Sequence, residues 1–177
     1  MGTFRHRWYC LEEWWQQRGN GSPCTVADTV PPGTSGPMTG INFYRINGNF
    51  DAALNLACQL TEKAFQQGLT VLLHTADETV SQQLEGLLWS FKPTTFLPHE
   101  CEHNPKEKVS ICHHDDPGDH HGLLINLDPT TPDWFTRFEK AVEIVYDDQQ
   151  IIEQKRERFS FYKSRGYPLN YHDLTKP

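Results

Sequence analysis

The chain has 177 residues, with 37% hydrophobic and 12% aromatic content, enough for one packed domain and too much for a disordered chain. No run of even 10 apolar residues occurs, so a membrane-spanning helix is excluded; Glu12 and Glu13 cut short any secretory signal after Arg5 and Arg7. Sixteen basic against 23 acidic residues give a net charge of -7, the wrong sign for gripping nucleic acid over a broad surface.

Residues 1–37 hold three basic and three acidic side chains and no periodicity, with turn and linker residues crowded into 19–37. They read as a disordered leader or a start assigned too far upstream. Leu11, Trp14 and Trp15 are its one amphipathic feature. The folded unit is expected over 38–177. Its first strand is 41–46, ending in the turn Asn47-Gly48-Asn49. Apolar residues at three- and four-residue steps predict a helix over 51–67, closed by Gly68. The run 69–74 reads as a strand buried on both faces. A second helix fits 78–90, and Pro93 forbids its extension. Short strands follow at Thr94–Leu97, Val109–Cys112 and Leu123–Leu127, with a polar loop over 113–122. A short helix near 132–139, a strand at Ala141–Tyr146 and a final helix over about 147–165, ending at Gly166, complete the pass. Strands alternating with helices predict an α/β fold: an open, mostly parallel twisted sheet with helices on both faces.

Such a sheet invites a nucleotide, but the residues do not support one. There is no Gly-Lys-Ser/Thr loop, Gly19-Asn20-Gly21 follows no strand, and the first strand of the domain enters Asn47-Gly48-Asn49-Phe50-Asp51, with one glycine and an acid. No G-x-S-x-G nucleophile turn is present. Cys10, Cys24, Cys58, Cys101 and Cys112 are odd in number and lack C-x-x-C spacing, as expected of thiols in a reducing cytoplasm. His99-Glu100-Cys101-Glu102-His103 matches H-E-x-x-H by letter. A zinc hydrolase using His99, Glu100 and His103 would need that motif on a helix, yet Pro98 and Pro105 bracket it. The blander expectation is a His-rich polar loop, in which His113, His114, His120 and His121 could add ligands for adventitious metal; no metal or other cofactor is expected.

The last helix is the most informative segment. Residues 151–177 carry six basic side chains (Lys155, Arg156, Arg158, Lys163, Arg165, Lys176) against three acidic ones, a net +3 that leaves -10 on the rest. Ile152, Arg156, Phe159 and Lys163 share one stripe at steps of four, three and four. A guanidinium beside apolar surface suits a short acidic peptide ending in a hydrophobic residue.

From Met38 onward the chain resembles the chi subunit of bacterial DNA polymerase III holoenzyme. The residues that carry this are Phe43-Tyr44, Gly68-Leu69-Thr70-Val71-Leu72, Leu88-Trp89 with Phe96-Leu97-Pro98-His99, Leu124-Ile125-Asn126-Leu127, and Arg156-Glu157-Arg158-Phe159 with Tyr162 and Gly166-Tyr167. The resemblance implies a Rossmann-like fold without a working nucleotide site. It implies a non-catalytic adaptor that pairs with the psi subunit, reaches the clamp loader through it, and binds the acidic C-terminal tail of single-stranded-DNA-binding protein. On this resemblance the tail site falls on Arg156 and Phe159, with Val145 and Trp89 as apolar contributors. A lysine of the family pattern falls on Ile152, which Lys155 is expected to replace from the next position. Phe161 and Tyr162 pack nearby. With 1–37 as a dispensable leader, its removal should leave the melting temperature unchanged; a drop of several degrees would assign it a place in the fold.

Overall fold

The computed structural model describes residues 38–91, 97–101 and 107–175. The expectations for 1–37, Thr94–Phe96 and His103 therefore lie outside the described residues, and Leu97 itself is not in a strand.

Six strands form one sheet: β1 (Gly40–Arg45), β2 (Val71–His74), β3 (Val109–Cys112), β4 (Leu123–Asn126), β5 (Lys140–Val145) and β6 (Leu169–Asp173). They are ordered β3-β2-β4-β5-β1-β6, and every paired neighbour is parallel. Three α-helices connect them: α1 (Phe50–Gln66), α2 (Glu78–Ser90) and α3 (Gln149–Ser164). The predicted short helix is a single 3-10 segment, Asp133–Arg137. Strand β6 was not expected. Its five residues LNYHD carry only Leu169 and Tyr171 as apolar positions and none is fully buried, so the signal is weak; pairing with β1 makes it a strand.

The chain crosses the sheet one way through α1 and α2, then returns through the 3-10 segment and α3. Right-handed crossovers in opposite directions place their helices on opposite faces. Side-chain alternation agrees with this. Tyr44, Val71, Leu73, Ile111, Ile125 and Ile144 pack with α1 and α2 on one face. Ile41, Phe43, Leu72, Leu124 and Val145 pack with Phe135, Phe138 and Tyr162 on the other. Both faces of the sheet are covered, which explains the continuous apolar runs in its central strands.

Local signals set the helix ends. Asn49, Asp77 and Asp148 cap the three N-termini with their side chains. Gly68 and Gly166 close α1 and α3 at φ of 79° and 77°, the left-handed geometry that glycine adopts without strain. At Gly68 the backbone bond from Leu69 N to Ala64 O completes the Schellman arrangement.

Polar residues also enter the core. His74 and His120 are 6% and 3% exposed, and His120 faces the Ser110 hydroxyl at 3.0 Å. Burial lowers the pKa of His74, His120 and His172 below the ordinary histidine value. The fold therefore holds them neutral, while the unfolded chain protonates them below about pH 6.5. Stability should be level above neutrality and fall as the pH drops through that value. Melting curves between about pH 7.5 and 5.5 test this: a constant melting temperature would contradict it, and His120→Gln should flatten the slope.

Candidate functional site

Helix α3 is mostly polar and buries only Lys155 and Tyr162 fully, seven residues apart on the side facing the sheet. Beneath them on β5 lies Glu143, itself 0% exposed. Its carboxylate accepts from Lys155 Nζ at 2.5 Å, Thr131 Oγ1 at 2.9 Å, Tyr162 Oη at 3.1 Å and Asn126 Nδ2 at 3.3 Å. Lys155 also donates to the Asp128 carbonyl at 3.1 Å. A buried charge survives only when it is paired and its remaining lone pairs are bonded, and both conditions hold here. Burial and then the Glu143 charge push the Tyr162 hydroxyl well above its ordinary pKa, keeping it a donor.

Aromatic edges tighten the same junction. Phe43 meets Phe159 at 5.3 Å and Tyr162 at 6.1 Å between ring centroids, both edge-on. Tyr162 in turn meets Phe135 and Tyr167. With Lys155 and Tyr162 directed inward, the next residue round the helix is turned away from the sheet. That residue is Arg156, exposed and, among the described residues, without a hydrogen-bond or ion-pair partner on its guanidinium.

Beside Arg156 an open groove of about 500 Å³ runs between α3 and the β1–β6 edge. Phe43, Val145, Ile152 and Phe159 supply its apolar surface, Arg156 and Arg45 its cations, and Ser160 and Tyr171 its polar rim. Five of the expected site residues thus come together: Arg156, Phe159, Val145, Ile152 and Lys155.

Two expectations need correction. Trp89 does not line the groove. It sits on α2, across the sheet from α3, 58% exposed and 5.2 Å from the His99 ring. Lys155 does line the groove, but its side chain is 4% exposed and its ammonium is held by Glu143, so it cannot stand in for the charge missing at Ile152. Phe161 packs against Tyr162 with Arg165 over its ring, beside the groove and not in it. Sequence reading missed Glu143, Arg45, Phe43 and Tyr171. A glutamate inside the apolar strand Ala141–Val145 was the one available signal, because a buried acid calls for a buried base.

The hydrolase alternative loses its framework. Glu100 forms an extended bridge with Ser110 and His99 Nδ1 lies 2.8 Å from the Leu97 carbonyl, so 97–101 is not the helix that H-E-x-x-H chemistry requires. Among the described residues no three His, Cys, Asp or Glu side chains converge as a metal site. Cys58, Cys101 and Cys112 are free thiols, and burial pushes that of Cys58 up to about 12.

At one switch point of the sheet the chain places a carboxylate of its own. In parallel sheets ligands bind beyond strand C-termini where neighbouring strands send their connections to opposite faces. Strands β1 and β5 meet that description, and there Asp147 accepts from Gly48 N at 2.7 Å and from Arg45 Nη2 at 2.6 Å. These two contacts hold its carboxyl below the ordinary range, the Gly48 bond most of all.

The molecule is thus an all-parallel α/β domain with a cation-and-apolar groove beside one sheet edge. Residues 38–170 match the family model described as DNA polymerase III chi subunit, HolC, and the chain belongs to that family of replication accessory proteins. It is 39% identical over 141 residues to DNA polymerase III subunit chi of Pseudomonas aeruginosa, covering 78% of this chain and 99% of that one. It is 24% identical over 149 residues to the chi subunit of Escherichia coli, covering 75% and 97%. Among solved structures, Mss116p DEAD-box helicase domain 2 bound to an RNA duplex superposes with a TM-score of 0.51 at 11% identity, over 77% of this chain and 64% of that one, a likeness of fold alone. No helix among the described residues is long and apolar enough to cross a membrane.

The Glu143–Lys155 pair gives a stability test. Lys155→Met alone leaves a buried carboxylate unpaired and should cost about 3–5 kcal/mol in urea denaturation. Adding Glu143→Gln should recover most of that loss; a double-variant loss equal to the sum of the two single-variant losses would show that the pair is not coupled.

Proposed function

We propose that the chain is a replication adaptor with no catalytic site of its own. Its α3 groove takes the acidic C-terminal tail of single-stranded-DNA-binding protein, and a second face pairs with the psi subunit to reach the clamp loader. On this reading it works in the cytoplasm, contacts DNA only through its partners, and consists of the folded unit 38–177 behind a leader.

One observation carries the reading. An exposed guanidinium with no partner among the described residues stands beside an apolar groove, on a chain whose net charge is -7. In this reading Arg156 clamps a carboxylate of the tail, a charge-assisted contact worth roughly 1.5–3 kcal/mol. The terminal hydrophobic side chain enters between Phe159, Val145 and Ile152, worth about 1.5–3 kcal/mol if fully buried. After the costs of ordering the peptide, a micromolar dissociation constant is the natural scale.

An adaptor needs two faces that do not compete. Trp89, exposed on α2, lies on the opposite layer from α3, and it is our candidate contact for psi. A partner there would leave the groove open.

Calorimetry with a short acidic peptide ending in Phe tests the groove. Arg156→Ala should weaken binding tenfold or more while the melting temperature stays within a few degrees, since each factor of ten is about 1.4 kcal/mol. Added salt should weaken wild-type binding, because part of the attraction is charge. Trp89→Ala should leave peptide affinity unchanged. Equal affinity in wild type and Arg156→Ala would refute the site.

A further inference from the structure

Of the α3 residues that line the groove, Ile152 is apolar and Lys155 is bonded to Glu143, which leaves Arg156 as the cation without a partner among the described residues. The groove nevertheless has a second arginine, supplied by the sheet. Arg45 ends β1, two residues after Phe43 and therefore on the same face, in register with Val145 on β5 and Asp173 on β6. Phe43 and Val145 form the floor between the strand arginine and the helix arginine.

We propose that Arg45 is a second, specificity-determining cation of this groove, selecting ligands with a carboxylate upstream of the terminal one. The inference rests on the groove reading given above.

The geometry around Arg45 supports the role. Its Nη1 donates to the Ile46 carbonyl at 3.0 Å and reaches the Val145 carbonyl at 3.4 Å, and Nη2 donates to Asp147 at 2.6 Å. These bonds fix the plane of the guanidinium without using all five of its N–H donors. The side chain is 22% exposed, so an entering ligand can reach it. Two carboxylates stand near. Asp173 is engaged by Thr175, through its N at 3.0 Å and its hydroxyl at 2.5 Å. Asp147 is 47% exposed and anchored separately by Gly48 N, so it need not leave when a ligand arrives. A guanidinium fork can bridge two carboxylates, one from the protein and one from the ligand.

Asp147 therefore orients Arg45 and also attenuates it. Neutralising Asp147 should strengthen the groove for acidic ligands, but only when Arg45 is present. Asn at 147 keeps an acceptor for Gly48 N, so the turn is preserved.

The test uses the full chain and two peptides that end in Phe: one with several upstream Asp residues, one with neutral upstream residues. Arg45→Met should weaken the acidic peptide roughly 3–10-fold and leave the neutral-upstream peptide unchanged. Asp147→Asn should tighten the acidic peptide about 2–5-fold, and this gain should vanish in the Arg45→Met, Asp147→Asn double variant. Melting curves confirm that each variant is folded; if Arg45→Met is not, Arg45→Gln and the Asp147→Asn arm carry the test. Binding that depends on Arg156 but ignores Arg45 and Asp147 overturns this proposal alone. Binding that ignores all three residues overturns the groove reading as well.

Discussion

The bond between Glu143 and Lys155 is the constraint on which the site depends. Two opposite charges meet at 2.5 Å beneath α3, with Asn126, Thr131 and Tyr162 bonding what remains of the carboxylate. Apolar packing alone would hold this helix loosely, since only two of its residues are fully buried and most of its surface is polar. A carboxylate buried in the sheet holds the Lys155 ammonium in one place, so it fixes both the rotation of α3 and its position along β5. Rotation is what matters for function. With Lys155 directed down, Arg156 is directed out, and Ile152 and Phe159 fall along the groove.

The same economy of charge shapes the rest of the α3 face. Of the four cations nearest the groove's helix and floor, Lys155 is paired with a buried acid and Arg45 with an exposed one, while Arg158 lies toward Tyr162. Of these four, Arg156 is the one without a partner among the described residues, and it stands beside the apolar hollow. At the carboxyl ends of β1 and β5, Asp147 bonds the Gly48 amide and Arg45.

Much of the frame was legible because it is local. Apolar spacing marked α1 and α2, the buried runs marked β2, β3 and β4, and Gly68 and Gly166 marked helix ends within a residue or two. Strand β6 escaped because its only reason to be extended is the edge of β1. Arg156, Phe159, Val145 and Ile152 were identifiable from the stripe on the last helix and the family resemblance. Trp89 was misplaced because sequence proximity to a family block says nothing about which layer a helix covers.

Sequence by itself determined an α/β chain with a basic C-terminal helix on an acidic body, since periodicity, caps and charge are properties of neighbouring residues. Tertiary structure alone decided which lysine is spent on a buried acid, which arginine stays free, and that a strand arginine joins a helix arginine in one groove. Those outcomes turn on desolvation and on contacts between residues about 12 to 130 positions apart, and no local pattern encodes them.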